Sequence, residues 1–367
     1  ALQLSSGALN YLGAAGTGAG ETVIKAINLT STTGSGIILA NQTGSSPSAL
    51  IIANNIAATG AGIKNLYLGG ESTLQNEIQG VIQDNTTTNK TSLVKIGNGT
   101  WLYDPSASNY VTAGATGVTT TGGGAVQTNN FTVSNAAGLV VGQTVTGTNI
   151  PGGSIITAIN GNTITINTTI GTAVPNATAL TFGTVNNFTG SVTVAGGTLQ
   201  IKATAGSGNG SNVIDNGSAL IFNADPLNTN QVAGGTFEYL GFSGGALTES
   251  LGALTMTAGA GTIKITAGGG DTGLIFSSLV LPAIGTGLNI VGDGTVTLTG
   301  VATSTATTLT GNGHIYFNGA DFARSNGGVM VAPVYDADSG FVTAGAALTA
   351  GNHNLVTGNT SSGALTI

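Results

Sequence analysis

The residues best placed to do chemistry in this 367-residue chain are His314, Asp321, Arg324, Asp336 and Asp338. Enzymes that cut polysaccharides gather carboxylates on one face, often beside a cation, to donate and accept protons. The run Asp336-Ala337-Asp338 would set two carboxylates on one side of a strand, and Arg324 is the only arginine present. The competing reading is that Arg324 pairs with one aspartate and pins a loop. That reading is adopted here, so replacing Asp336 and Asp338 together is expected to remove no polysaccharide-cleaving activity.

Metal chemistry has weaker support. Asp271 in GGGDTG and Asp293 in GDGT sit in glycine-aspartate corners of the kind that bind calcium, and Asp336 and Asp338 are further carboxylate candidates. A calcium-binding repeat would keep its aspartate in frame on neighbouring coils; these are single. Turn aspartates bonding their own backbone are expected instead, and surface Asp104 and Asp215-Asn216-Gly217 are read the same way. His314 and His353 lie in different regions of a chain without cysteine, so no zinc site is expected. No nucleophile-elbow pattern surrounds any serine. No cofactor is implied. Sequons at Asn28, Asn41, Asn85, Asn98, Asn187 and Asn216 read as corner and ladder asparagines, with glycan attachment a secondary possibility. Threonine runs at 163–169 and 295–300 would suit an ice-binding face only if every coil repeated them, and they are irregular.

The elements that must position these residues are strands. Charged residues make up 6% of the chain, against about 25% in ordinary domains, while 40% of residues are hydrophobic. That balance does not suit disorder. The 62 glycines show no period of three, which excludes collagen. Thr, Val and Ile fit a pleated surface; Gly and Asn fit its corners. A net charge of −7 with seven scattered cations does not suit nucleic acid, whose phosphates need a clustered basic face. No apolar run reaches the roughly 18 residues of a membrane helix, and the longest patch, 274–284, is broken by Ser277, Ser278 and Pro282. The start at Ala1 fits a trimmed, exported chain and equally a cut piece.

Alternation with glycine corners predicts strands at Gly36–Ala40, Ala49–Ala53, Asn65–Leu68, Glu77–Ile82, Ser92–Ile96, Ser191–Val194 and Thr198–Ile201. Asn54-Asn55 is expected at a left-handed corner. Related units, GNGTWLYD (97–104), GAGTIKITAGG (259–269), GDGTVTLTG (292–300) and GNGHIYFNG (311–319), point to stacked equivalent coils. Four regions follow: coils over 1–112, a hairpin-rich domain over 113–184, coils of roughly 20–25 residues over 185–320, and a loop-rich solenoid end over 321–367, with strand signals again at 346–349. Within 113–184, Asn160-Gly161-Asn162 lies between two alternating runs, a strong hairpin signal. A parallel solenoid contains no hairpins, so this stretch is read as an inserted small antiparallel β-sandwich or barrel. Residues 92–110 and 186–201 are read as front and back halves of one unit split by it.

On these residues the chain resembles autotransporter-associated β-strand repeat proteins. The resemblance rests on Leu93-Val94-Lys95-Ile96-Gly97-Asn98-Gly99-Thr100-Trp101, then on Phe188-Thr189-Gly190-Ser191-Val192-Thr193-Val194-Ala195-Gly196-Gly197-Thr198-Leu199-Gln200. Segments 71–84, 234–241 and 251–265 are similar to neighbouring coils of that family. The resemblance implies a right-handed parallel β-helix, export, and a secreted or surface-exposed role on a bacterium; it implies no catalytic residues. The family's membrane β-barrel has no counterpart here.

The expectation is therefore an all-β protein, a right-handed parallel β-helix with an inserted antiparallel domain, acting as a non-enzymatic extracellular structural subunit. Both ends are read as uncapped and strand-forming, with Leu2, Leu4, Leu9, Leu365 and Ile367 carrying contacts to further copies in a head-to-tail homopolymer. Ser5–Leu9 recurs as Ser361–Leu365, a match that chance can also produce. The alternatives are an adhesin that contacts cells or surface glycans through 113–184, and a polysaccharide-degrading β-helix enzyme.

Overall fold

The computed structural model describes residues 1–13, 20–32, 34–42, 49–85, 88–105, 118–136, 139, 145–152, 154, 156–166, 168–182, 188–202, 213–227, 234–241, 247–280, 286–303, 315–319, 321–338, 341–344 and 353–356. Among them there are strands and turns and no helix. Alternation sets each strand: in Thr198–Lys202, Leu199 and Ile201 are buried while Thr198 and Gln200 remain half-exposed.

The strands wind into a parallel β-solenoid of nine coils. Each coil gives one strand to an eleven-stranded sheet, here sheet I, and one to a ten-stranded sheet, sheet II. The first three coils also give a strand to a short third sheet, made of Leu2–Leu4, Ile27–Leu29 and Ile56–Ala58. Equivalent residues stack in columns. On the inner side of sheet II, Trp101, Leu199, Phe237, Ile263 and Ile290 follow in register, none more than 3% exposed. Each such side chain contributes about 1.5–3 kcal/mol by leaving water. One continuous core runs from Leu4 to Met330.

Glycine corners let the coils stack closely. Gly97 (φ +65°) and Gly197 (φ +57°) occupy the same corner of successive coils. A Cβ on Gly197 would lie 2.4 Å from the Gly99 carbonyl oxygen, and one on Gly97 would lie 2.9 Å from that of Gly70. The Asn54-Asn55 corner works differently. Neither residue has positive φ; instead Asn54 Nδ2 donates to the Ile24 carbonyl and Asn55 Oδ1 accepts from the Val81 amide, each tying neighbouring coils.

Several boundaries differ from the sequence expectation. The strand expected over Glu77–Ile82 is Gln75–Ile78, with the chain turning beyond it. Paired residues lie further apart than 20–25 positions: Thr236 pairs with Thr262 and Thr262 with Asn289, spacings of 26 and 27, while Thr198 pairs with Thr236, a spacing of 38. Most of the excess in the longest of these spacings lies between sheet I and sheet II, where Phe222 and Thr236 are 14 positions apart against 6 for the equivalent Met256 and Thr262. The units around the insertion are not halves of one repeat. Leu93 pairs with Val192 and Trp101 with Leu199, so they are equivalent parts of successive coils. The insertion lengthens the connection from Tyr103 on sheet II to Val192 on sheet I.

Within 113–184 the described strands are antiparallel. Thr120–Gly122, Asn130–Val133, Thr163–Ile166 and Ile156–Asn160 form a four-stranded sheet, and Val145–Thr146 pairs with Thr181–Phe182. The expected hairpin is present: Asn160 pairs with Thr163 across Gly161, which has φ +56°. Phe131, Ile164, Val145 and Phe182 are among the residues of a core separate from that of the solenoid.

The end at 321–338 is closed, not bare. Asp321–Phe322 folds back antiparallel on Ile315–Phe317, the last parallel strand of sheet II. Arg324–Asn326 and Val329–Val331 form a hairpin whose second strand pairs antiparallel with Thr295–Leu298, the last parallel strand of sheet I. Reversal of direction stops the parallel addition of coils. Phe341–Ala344 and His353–Val356 then form a separate parallel pair. Leu4, expected at an assembly surface, is a core residue at 6% exposure; Leu9 packs partly against the core and Leu2 is exposed. Leu365, Ile367 and the strand signal at 346–349 lie outside the described residues.

Candidate functional site

The C-terminal cluster is assembled by the closing hairpins. Arg324 Nε donates to Asp338 Oδ2 at 2.8 Å, and the same oxygen accepts from the Val334 amide at 2.6 Å. Asp321 Oδ1 accepts from the Phe322 amide and from the Tyr335 hydroxyl at 2.9 Å. Burial, with Asp321 as acceptor, pushes the Tyr335 phenol up to about 12. Asp336 stands at φ +64° in the turn between. The groups thus pin the 332–338 loop, and Asp338 is already occupied. His314 lies outside the described residues; His353 lies in the separate parallel pair, in a different sheet from Arg324.

Two of the turn aspartates, Asp293 and Asp215, hold backbone amides. Asp293 Oδ1 accepts from the Ala267 amide at 2.7 Å, a bond to the preceding coil and not to its own turn. Asp215 behaves as expected, accepting from the Gly217 amide at 2.9 Å. Asp271 is exposed at its corner. Among the described residues no three His, Asp or Glu converge on a metal position. The asparagines of the sequons at 41, 85 and 98 bond across coils, to Asn10, the Ala58 carbonyl and Glu71. The two threonine runs share no plane: 295–298 is in sheet I and 163–166 in the inserted domain.

The largest gathering of charge is one that sequence reasoning missed. It lies on the outer face of sheet II, where register aligns Glu77, Leu102, Gln200, Glu238 and Lys264. Beside it, Asp104 is not a surface turn residue but is 1% exposed, and Lys202 Nζ reaches it at 2.9 Å. That hydrogen bond holds the Lys202 ammonium above its ordinary range. Lys264 Nζ, Gln200 Nε2 and Thr266 Oγ1 each donate to Glu238 at 2.8 Å. Burial would lift the Glu238 carboxyl, but these donors outweigh it and hold it below the usual range. Glu77 is raised, chiefly by burial and further by Asp104, against a hydrogen bond from Gln79 and the Lys202 charge. Glu77 and Glu238 are three strands apart, about 14 Å at ~4.8 Å per strand. Glycosidase carboxylates stand about 5–9.5 Å apart. The closer pair is Glu77 and Asp104, which interact, and there Asp104 is tied to Lys202.

Other ionisable groups are spent inside the stack. Lys95 occupies a core column between Leu68 and Val194 and is fully buried. Its Nζ donates to the carbonyls of Ile96, Gly97 and Gly196, joining two coils at 2.7–3.1 Å. Burial lowers its pKa to about 7, although Asp225 and Glu71 pull upward. Lys64 Nζ takes the carbonyls of Gly60, Ala61 and Gly62, and burial lowers it too. Glu249, paired with Leu274 and fully buried, accepts from the Val213 and Ile214 amides; burial pushes its carboxyl well up. Asp84 accepts from Thr91 on one side and from Thr189 on the other, fixing the chain where it returns from the insertion.

The signal that would have revealed the sheet II face was present. In GNGTWL, AGGTLQ, AGGTFE and GAGTIK the threonine after the glycine corner opens the strand, and two positions on stand Leu102, Gln200, Glu238 and Lys264. Aligning the four corners reads out both columns. No protein-family model, curated protein or solved structure matches the chain.

Proposed function

We propose that this chain is a non-enzymatic structural rod of a bacterial surface, secreted or surface-exposed, which carries its inserted domain to one side. One observation supports this above others: the charged side chains at Lys64, Asp84, Lys95, Asp104, Glu238 and Glu249 are consumed in bonds that hold coil to coil or loop to coil. A chain with so few charges that commits these to its own backbone and side chains is built for persistence of shape. The placement outside the cell rests on the resemblance to autotransporter-associated β-strand repeats. No helix of the described residues is long and apolar enough to cross a membrane.

Head-to-tail assembly remains part of this reading in a narrower form. In the first coil, Leu2–Leu4, Ala8–Tyr11 and Glu21–Val23 each pair on one side only, whereas the far edges of sheets I and II carry antiparallel strands. A further copy would therefore meet the first coil through the separate pair at 341–356, not through a bare solenoid end. Electron microscopy of the purified chain tests the reading. Rods with a solenoid about 43 Å long, from nine coils at ~4.8 Å each, or filaments of such units, are expected. Compact particles, or release of reducing sugar from polysaccharide, would overturn it.

A second reading, an adhesin, is favoured by the separate core of the inserted domain. Cell or glycan binding that disappears when 106–187 is replaced by a short linker in the full chain would support it.

A further inference from the structure

The outer face of sheet II carries a second column, one residue pair before the charged one, that the structural role does not use. Thr100, Thr198, Thr236 and Thr262 stand in unbroken register on four successive strands, followed by Asn289 and Tyr316. Parallel strands repeat every ~4.8 Å, so the track extends about 24 Å across six strands. All four threonines are half-exposed. Among the described residues, none of their hydroxyls meets a protein hydrogen-bond partner, whereas Thr91, Thr189 and Thr266 are all engaged. Asn289 uses its Oδ1 on the Gly319 amide and leaves Nδ2 for another partner.

The track ends on an aromatic group. Tyr316 is 41% exposed, with its ring stacked on Phe322 at a centroid separation of 5.5 Å and an interplanar angle of 28°. A large aromatic left in water beside open hydroxyl and amide groups presents an apolar surface with polar neighbours. Beyond the threonines the charges are mostly paired, Lys264 with Glu238 and Lys202 with Asp104; among the described residues Glu77 is the one carboxyl of the adjoining column without a salt bridge, and burial raises its pKa. With a chain net charge of −7, a polyanion would be repelled.

We infer that this face is a binding track for a neutral polysaccharide, laid across the strands along the threonine column with one sugar ring against Tyr316. Sugars combine ring faces that pack on aromatics with hydroxyls spaced along an extended chain, which is the combination this column offers. A crystalline lattice such as ice would need a second matching column two residues on, where Leu102, Gln200, Glu238 and Lys264 stand instead. The inference is independent of whether the rod polymerises, and it places glycan contact on the solenoid, not on the inserted domain.

The test uses the full chain in native affinity gels containing hydroxyethyl cellulose or neutral xylan, with dextran sulfate as the polyanion. Retardation by at least one neutral polymer and none by dextran sulfate is expected. Tyr316→Ala should weaken retardation roughly tenfold, the scale of an exposed aromatic contact. The quadruple Thr→Val variant at 100, 198, 236 and 262 keeps β-branched shape and should weaken it at least as much. Circular dichroism matching the parent chain shows that both remain folded; if the quadruple variant misfolds, Tyr316→Ala decides alone. Absence of retardation by either neutral polymer overturns the inference. So does retardation unchanged by Tyr316→Ala, or retardation that is lost only when 106–187 is replaced.

Discussion

Replacing Lys95 by methionine probes a lysine held where the core columns call for an apolar residue. In the folded chain its pKa lies at about 7, against 10.5 for a free lysine, because burial opposes its charge. Between these values the unfolded chain binds a proton that the folded chain does not, so stability rises with pH across this window. The gap of about 3.5 pH units, at ~1.4 kcal/mol each, gives on the order of 5 kcal/mol. Below pH 7 both states are protonated and the contribution is flat. Methionine fills similar space without a titrating group, but leaves the carbonyls of Ile96, Gly97 and Gly196 without this donor, about 1–3 kcal/mol for each that water cannot reach. Urea denaturation of parent and Lys95→Met at half-unit steps from pH 6 to pH 10.5 is the assay. The parent curve should climb relative to the variant above pH 7 and run parallel to it below. Parallel curves throughout, or a parent that loses stability relative to the variant as pH rises, would refute the argument that desolvation governs this group.

Two further substitutions test the same logic elsewhere. Glu249 has its carboxyl raised well above the ordinary value, so stability falls as pH rises from about 4.5 through its folded pKa; Glu249→Gln should flatten that slope in thermal melts, and an unchanged slope would exclude Glu249 as its source. Gly197→Ala places a Cβ 2.4 Å from the Gly99 carbonyl at φ +57° and should cost roughly 2–4 kcal/mol, the range of strain plus overpacking. Gly217→Ala, whose nearest contact is the Asp215 side chain at 3.1 Å, serves as the milder control by the same denaturation.

Much of this organisation was legible from residue types alone. Alternating Thr, Val and Ile with glycine corners specifies strands without tertiary information, because each strand's pleat and each corner's φ are local properties. The hairpin around Gly161 was legible for the same reason. The insertion was visible as a change of period, and Arg324 as a loop pin followed from there being one arginine among nearby aspartates.

Register was not legible, and most of the candidate chemistry depends on it. Which residue of one coil lies beside which residue of the next depends on the length of every intervening loop, and those lengths vary from coil to coil. Hence Asp104 looked like a surface turn residue until Lys202, a coil away, closed over it, and Glu238 gained Gln200, Lys264 and Thr266 only when the coils stacked. The closed C-terminal end shows the same division. Short strands at Asp321–Phe322, Arg324–Asn326 and Val329–Val331 carry no local mark of direction, since parallel and antiparallel pairing use the same extended backbone. Only their contacts with Ile315–Phe317 and Thr295–Leu298 set them antiparallel and end the stack. By itself the sequence determined that this chain is an all-β stack of coils with an insertion; the tertiary structure decided which side chains meet across coils, because those meetings are set by loop lengths and stacking order and by no local preference.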